Sequence, residues 1–233
     1  MLDELNKAGY LGSRMSHRAF KNRLYAEFAR LGTALASDKR LELLDLLAQS
    51  PRYVDALAAE MEMSVANISQ HLQVLRNAKL VVSEREGNRV LYRLMDDAVL
   101  RLWLDLRAVA EDHLLEIRQL RAQYAIEELD GDLQRDDLEK ILRSDAFVLI
   151  DVRPAIEFRA GHIPGALAVP LEELAQRLSS LPRDKRIVAY CRGAYCLFAD
   201  EAVALLRQNG FDAVRLEGGW PEWKAEGRET NES

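Results

Sequence analysis

Apolar residues recur at helical spacing over residues 16–50, with Phe20, Leu24, Phe28, Leu31 and Leu35 on one stripe and Leu41, Leu44 and Leu47 three apart. The pattern predicts two helices. Ser37 is placed to cap the second, and Asp38 suits the positive end of its dipole. Ser50-Pro51 breaks that helix and another is expected from about Val54. From Leu80 to Leu94 the period shortens to that of strands. Leu80-Val81-Val82 and Val90-Leu91-Tyr92 flank a turn at Glu86-Gly87-Asn88. A long amphipathic helix is then expected from about Asp97 towards Leu129, with Gly131 as its stop.

Strand and helix patterns then alternate, through Phe147–Asp151, Leu171–Leu178, Ile187–Tyr190, Leu197–Asn209 and Ala213–Leu216. That alternation predicts an α/β domain with a central parallel sheet. The chain therefore divides into a mainly α unit with a hairpin over residues 16–121, a linker over 122–132, and an α/β domain over 133–233. Residues 1–15 fit neither unit and read as an N-terminal extension, with Met15 as an alternative start.

Hydrophobic residues make up 48% and charged residues 30% of the 233, a globular balance with room for two cores. No apolar run is long enough to span a bilayer, and Met1-Leu2-Asp3-Glu4 lacks the basic and apolar sections of a signal peptide. The expectation is a cytoplasmic protein with no membrane partner, in a compartment that keeps thiols reduced. The net charge of −6 is uneven: residues 1–125 hold 18 basic against 17 acidic side chains, and the remainder 14 against 21. Charge alone does not mark the first unit as a nucleic-acid binder, so its motif has to.

Helix, turn, helix and then a hairpin is the element order of a winged helix-turn-helix. Ser64 is positioned to cap the second helix of the pair. Ile68, Leu72 and Leu75 face inward, which turns Asn67, Gln70 and His71, with Ser69 at the edge, towards solvent. Such short polar side chains can meet base edges and phosphates in a major groove, while Arg85 and Arg89 flank the hairpin tip where cations can grip the backbone. Ala36-Ser37-Asp38-Lys39-Arg40-Leu41, followed by Ile68-Ser69-Gln70-His71-Leu72 and by Leu75-Arg76, Ala78 and Leu80-Val81, resembles the ArsR family of winged-helix repressors over about residues 20–120. The resemblance implies a homodimer built through the first and last helices and a double-stranded DNA partner, with one recognition helix per operator half-site. Metal-sensing members place cysteines before the turn, yet Ser50 to Asp55 offers no soft ligand. His113 and Glu116 supply at most half a site, so they read as surface residues and no metal is expected.

All the cysteine chemistry lies in Tyr190-Cys191-Arg192-Gly193-Ala194-Tyr195-Cys196, where a buried strand becomes a helix. Helix-terminal amides and a tight Arg192–Tyr195 loop can stabilise an anion on Cys191, with Gly193 allowing the curl and Arg192 adding a cation. Leu149 to Arg153, Glu157-Phe158, Gly161 to Ala166, Tyr190 to Gly193 and Leu216 to Trp220 resemble the rhodanese domain, in order, over about residues 133–227. In that family the counterpart of Cys191 is the nucleophile that becomes a persulfide. His162 reads as fold support, Asp151 and Arg153 as an internal ion pair, and Trp220 and Trp223 as packing. Phosphatase and arsenate-reductase relatives need an arginine where Leu197 stands, which argues against oxyanion chemistry. Cys196 departs from ordinary sulfurtransferases and reads as a resolving partner. The expected function is a repressor sensing reactive sulfur, such as polysulfide or thiosulfate, or oxidants, with no cofactor. The alternatives are a sulfurtransferase with an autoregulatory DNA-binding domain, and an inert rhodanese serving as a partner module.

Overall fold

The computed structural model describes residues 16–124, 132–142 and 147–232. The expected extension, most of the linker and the Gly131 stop lie outside them. The first domain runs α1 (His17–Leu35), α2 (Asp38–Gln49), β1 (Arg52–Tyr53), α3 (Val54–Glu60), α4 (Val65–Asn77), β2 (Val81–Glu86), β3 (Arg89–Leu94), α5 (Asp97–His113) and α6 (Leu115–Tyr124). Leu43 and Leu44 of α2, Leu57 of α3 and Ile68, Leu72 and Leu75 of α4 make its core, none more than 1% exposed. β2 and β3 form the wing and β1 pairs with β3, Arg52 opposite Tyr92.

Two local expectations are corrected. Ser37 occupies the position before α2, but its side chain makes no capping bond; the cap comes instead from geometry alone. The long helix after Asp97 breaks at Leu114, whose backbone is extended, so α5 and α6 are separate segments. The Phe20, Leu24 and Phe28 stripe of α1 is not covered by the described residues: Phe20 is 50% and Phe28 56% exposed.

The second domain contains α7 (Arg135–Ile141), β4 (Phe147–Asp151), α8 (Ala155–Ala160), β5 (Leu167–Ala168), α9 (Leu171–Arg177), β6 (Arg186–Cys191), α10 (Phe198–Gln208), β7 (Ala213–Gly219) and α11 (Trp220–Ala225). Its four strands are parallel in the order β5-β4-β6-β7. β6 is buried on both faces, as an internal parallel strand must be, and its side chains alternate between two cores. Ile187, Ala189 and Cys191 pack under α10, whereas Val188 and Tyr190 pack with Trp220 and Trp223 on the other side. The strand therefore ends with Cys191 at the carboxyl edge of the sheet, where open α/β folds place their ligand sites.

The turn after β4 is held by a fully buried pair. Arg153 Nη2 donates to Asp151 Oδ2 at 2.6 Å and to the Gly161 carbonyl at 2.7 Å. The guanidinium also lies 5.2 Å from the Trp220 ring centre and 5.7 Å from that of Tyr190. His162 is structural in the same corner, with Nδ1 2.9 Å from the Phe158 carbonyl oxygen and its ring stacked on Phe158. Breaking a buried ion pair from one side leaves an uncompensated charge, so Asp151→Asn is expected to cost about 3–5 kcal/mol. Urea unfolding of the variant measures it; a loss under 1 kcal/mol contradicts this account.

Candidate functional site

On the first domain, Ser64 Oγ accepts from the Asn67 amide at 3.2 Å and so caps α4, with its hydroxyl committed to the helix. Asn67, Ser69 and Gln70 are exposed and His71 is half-buried, on the side opposite Ile68 and Leu72. Ser69 Oγ donates back to the Val65 carbonyl, which leaves its lone pairs facing outward. Arg85 braces the wing tip through the Gly87 carbonyl. Arg89 is held bidentately by Asp55 at 2.9 and 3.1 Å and lies 3.6 Å from the Tyr53 ring centre, so it is already engaged without DNA. His113 and Glu116 fall on opposite sides of the Leu114 break, both exposed, and do not share one helical face.

On the second domain the thiol loop begins at the end of β6. Cys191 is 1% exposed, and its Sγ lies 3.3 Å from the Cys196 carbonyl oxygen and 3.8 Å from that of Gly193. Gly193 has φ +123°, a conformation closed to most side chains, which makes the curl possible. The amides of Gly193, in the loop, and Ala199, in α10, hydrogen-bond the Cys191 sulfur and favour its anion. Burial outweighs them and pushes the Cys191 thiol well up, while Cys196 is drawn below its ordinary value by the hydrogen bond from Cys191 and by the Arg192 and Phe198 amides. The two thiols are thus shifted in opposite directions, Cys191 up by burial and Cys196 down by its hydrogen bonds.

Arg192 does not turn its guanidinium onto the Cys191 sulfur as the sequence suggested. Its Nε donates to Glu157 at 2.9 and 3.1 Å, and its Nη1 reaches Glu60 of α3 at 2.7 Å. These carboxylates, that of Glu157 fully buried, are stronger acceptors than a thiol would be. Arg52 completes the group, bonded to Glu60 at 3.0 Å and also to Glu157. Gln49 of α2 donates to the Arg192 carbonyl at 3.1 Å. Tyr195 stacks under Arg107 of α5, 4.6 Å from the ring centre, and burial with a Glu111 hydrogen bond pushes its hydroxyl up to about 12. Arg107 also pairs with Glu222 of α11 at 3.2 Å, and burial raises the Glu222 carboxyl. A cleft of about 520 Å³ between α5 and the second domain reaches the loop at Ala194.

The sequence reading missed Gln49, Arg52, Glu60, Arg107 and Glu222, all of which meet across the two domains. Only Glu157 carried a signal, as part of a motif, because spacing along a chain holds no information about how two domains dock.

The fold defines a winged helix-turn-helix regulator that carries an α/β domain with a four-stranded parallel sheet. A model of the arsR family of bacterial regulatory proteins matches residues 37–83, and a model of the rhodanese-like domain matches residues 134–226. The HTH-type transcriptional regulator Rv0324 of Mycobacterium tuberculosis is 41% identical over 91% of this chain and 93% of its own length. A protein of Allochromatium vinosum named sulfurtransferase is 32% identical over 38% of this chain and 82% of its own length. The solution structure of the homodimeric winged helix-turn-helix DNA-binding domain of Mb0332 from Mycobacterium bovis is 42% identical, spans 41% of this chain and 89% of that one, and superposes with a TM-score of 0.40. The chain belongs to the arsR family of transcriptional regulators and carries a rhodanese-like domain.

The opposite shifts of the two thiols have a direct consequence. Alkylation of Cys196 by iodoacetamide is expected to reach half-maximal rate below the pH near 8.5 typical of a free cysteine, because its folded pKa is lowered. Cys191→Ala removes the S–H donor and moves that midpoint up. A midpoint unmoved by the substitution, read by mass spectrometry of the alkylated peptide, rules out the shared proton.

Proposed function

We propose that this regulator binds operator DNA as a homodimer, with Asn67, Ser69, Gln70 and His71 in the major groove and Arg85 and Arg89 on the backbone, and that it senses reactive sulfur or oxidants through Cys191. The observation that carries the sensing half is the direct contact between the two thiol residues at the end of β6. Cys196 takes the Cys191 proton as a polysulfide arrives in the cytoplasm. The Cys191 thiolate attacks a sulfane sulfur, forms the S–S bond and expels the shortened polysulfide. Once Cys196 has released its proton to solvent, its thiolate attacks Cys191 Sγ, forming a disulfide and expelling hydrosulfide. Ser64 serves by fixing the start of α4.

Exposed apolar residues support the homodimer: Phe20 and Phe28 on α1, and Leu115 and Leu120 on α6, each at least half exposed. A second reading, sulfurtransfer with the DNA-binding domain as its regulator, is favoured by the amides of Gly193 and Ala199 aimed at Cys191, which suit a turning-over persulfide. Fast sulfur transfer from thiosulfate to cyanide, abolished in Cys191→Ser but retained in Cys196→Ser, selects it.

Two outcomes are expected. Polysulfide treatment shifts the affinity for an operator duplex at least fivefold, a coupling within the usual allosteric range, and Cys191→Ser removes the shift. Gel-shift titrations with equal affinities before and after treatment sink the sensing reading. Phe28→Asp converts the dimer to a monomer by light scattering and weakens operator binding; a wild-type protein that is monomeric at tens of micromolar argues against the dimer.

A further inference from the structure

The thiol loop is enclosed from two sides. On the inner side, a Cβ at Gly219 would lie 2.4 Å from both the Cys191 carbonyl oxygen and the Gly193 nitrogen, so the β7–α11 junction leaves the loop no room to move that way. Glu222 closes the same side beside Gly193, its carboxylate oxygens 2.9 and 3.0 Å from where a Cβ would stand. On the outer side lie side chains of the DNA-binding domain: Gln49 on the Arg192 carbonyl, Glu60 on its guanidinium, and Arg107 over Tyr195. A sulfur added to the enclosed Cys191 lengthens its side chain by about 2 Å. With the β7–α11 side closed, the loop is left to yield on the other side, towards Glu60 and the cleft at Ala194.

The charges at that contact form a closed square. Arg52–Glu60 is a pair within the first domain and Arg192–Glu157 a pair within the second. Arg52–Glu157 and Arg192–Glu60 cross between them. Opening the contact breaks the two crossing pairs and leaves each domain with its own pair intact, so no charge is stranded in either arrangement. Both states are therefore accessible, which a switch needs.

We propose that this square is a reversible clasp that couples the thiol loop to the helix-turn-helix, closed in the operator-binding form and opened by modification at Cys191. Glu60 ends α3 directly before the turn into α4, and Arg52 lies in β1, which pairs with the wing. The clasp thus adjoins both the turn into α4 and the wing. While it is closed, two guanidiniums neutralise Glu60 at the end of α3; once open, one remains. This deepens the sensing reading and rests on it for the physiological signal, but the coupling itself requires no sulfur chemistry. By linkage, whatever the clasp does to DNA affinity, DNA does to loop opening by the same factor.

The test uses the full chain and iodoacetamide, with mass spectrometry following alkylation of the Cys191–Cys196 peptide. The DNA probe is the tightest duplex recovered by selection from a random library. Saturating duplex is expected to slow alkylation of the wild type at least fivefold. In Glu60→Gln the free protein reacts faster, protection by the duplex falls below twofold, and duplex affinity drops. Asp97→Asn, which removes an exposed pair with Lys224 elsewhere on the same contact, leaves protection unchanged. Equal alkylation with and without duplex in the wild type overturns the clasp without using any variant. Full protection persisting in Glu60→Gln overturns it too, since DNA would then merely cover the thiols. Polysulfide takes no part in these measurements, so a regulator blind to sulfur can still pass them, and one that senses sulfur by another route fails them.

Discussion

Glu157 has no exposed side-chain surface, and its carboxylate is shared by an arginine from each domain. A carboxylate taken out of water costs several kcal/mol unless it is paired and hydrogen-bonded. Arg192 supplies that pairing from within its own domain, which also fixes where the thiol loop can run. Because the guanidinium is spent on Glu157 and Glu60, the loop backbone must carry the electrostatic work at Cys191, through the amides of Gly193 and Ala199. The run of the thiol loop and the docking of α3 on the second domain thus meet at one buried acid.

The two thiols divide their roles along the same lines. Cys191 lies deep in the core beneath α10, where burial disfavours charge. Cys196 is less enclosed and receives two amides and the S–H of its neighbour. The inner sulfur is therefore the harder of the two to ionise and the outer the easier. Susceptibility to oxidants follows thiolate character and exposure, so burial shields Cys191 more than Cys196.

Both folds were legible because each rests on periodicity that packing obeys. Ile68, Leu72 and Leu75 face the core at helical spacing, and the Ile187–Cys191 run reads as an internal parallel strand. The Asp151–Arg153 pair was legible too, since two residues of opposite charge flanking a strand end can meet locally. The break at Leu114 was not, because an amphipathic pattern runs through it and Leu is a good helix former. Nor was the use of Arg192. A cation beside a cysteine reads as its partner until a stronger, more deeply buried acceptor comes from thirty-five residues away. Docking residues such as Gln49 and Arg107 leave no trace in local pattern, being an ordinary polar helix end and one arginine among many.

The cysteine-free first domain makes that docking decisive. A regulator whose DNA-contacting helix holds no redox-active group must receive any thiol signal through contact, and the described contacts of Arg192 and Tyr195 put the loop against α2, α3 and α5. α5 adjoins α6, which with α1 carries the uncovered apolar surface, whereas α3 leads into α4. On the proposed clasp, a displaced loop would bear both on the spacing of two recognition helices, through α5, and on the seating of each one, through α3. Half-site spacing is a stringent geometric requirement of paired helix-turn-helix readers, so the α5 route is the one a small shift at the loop would use.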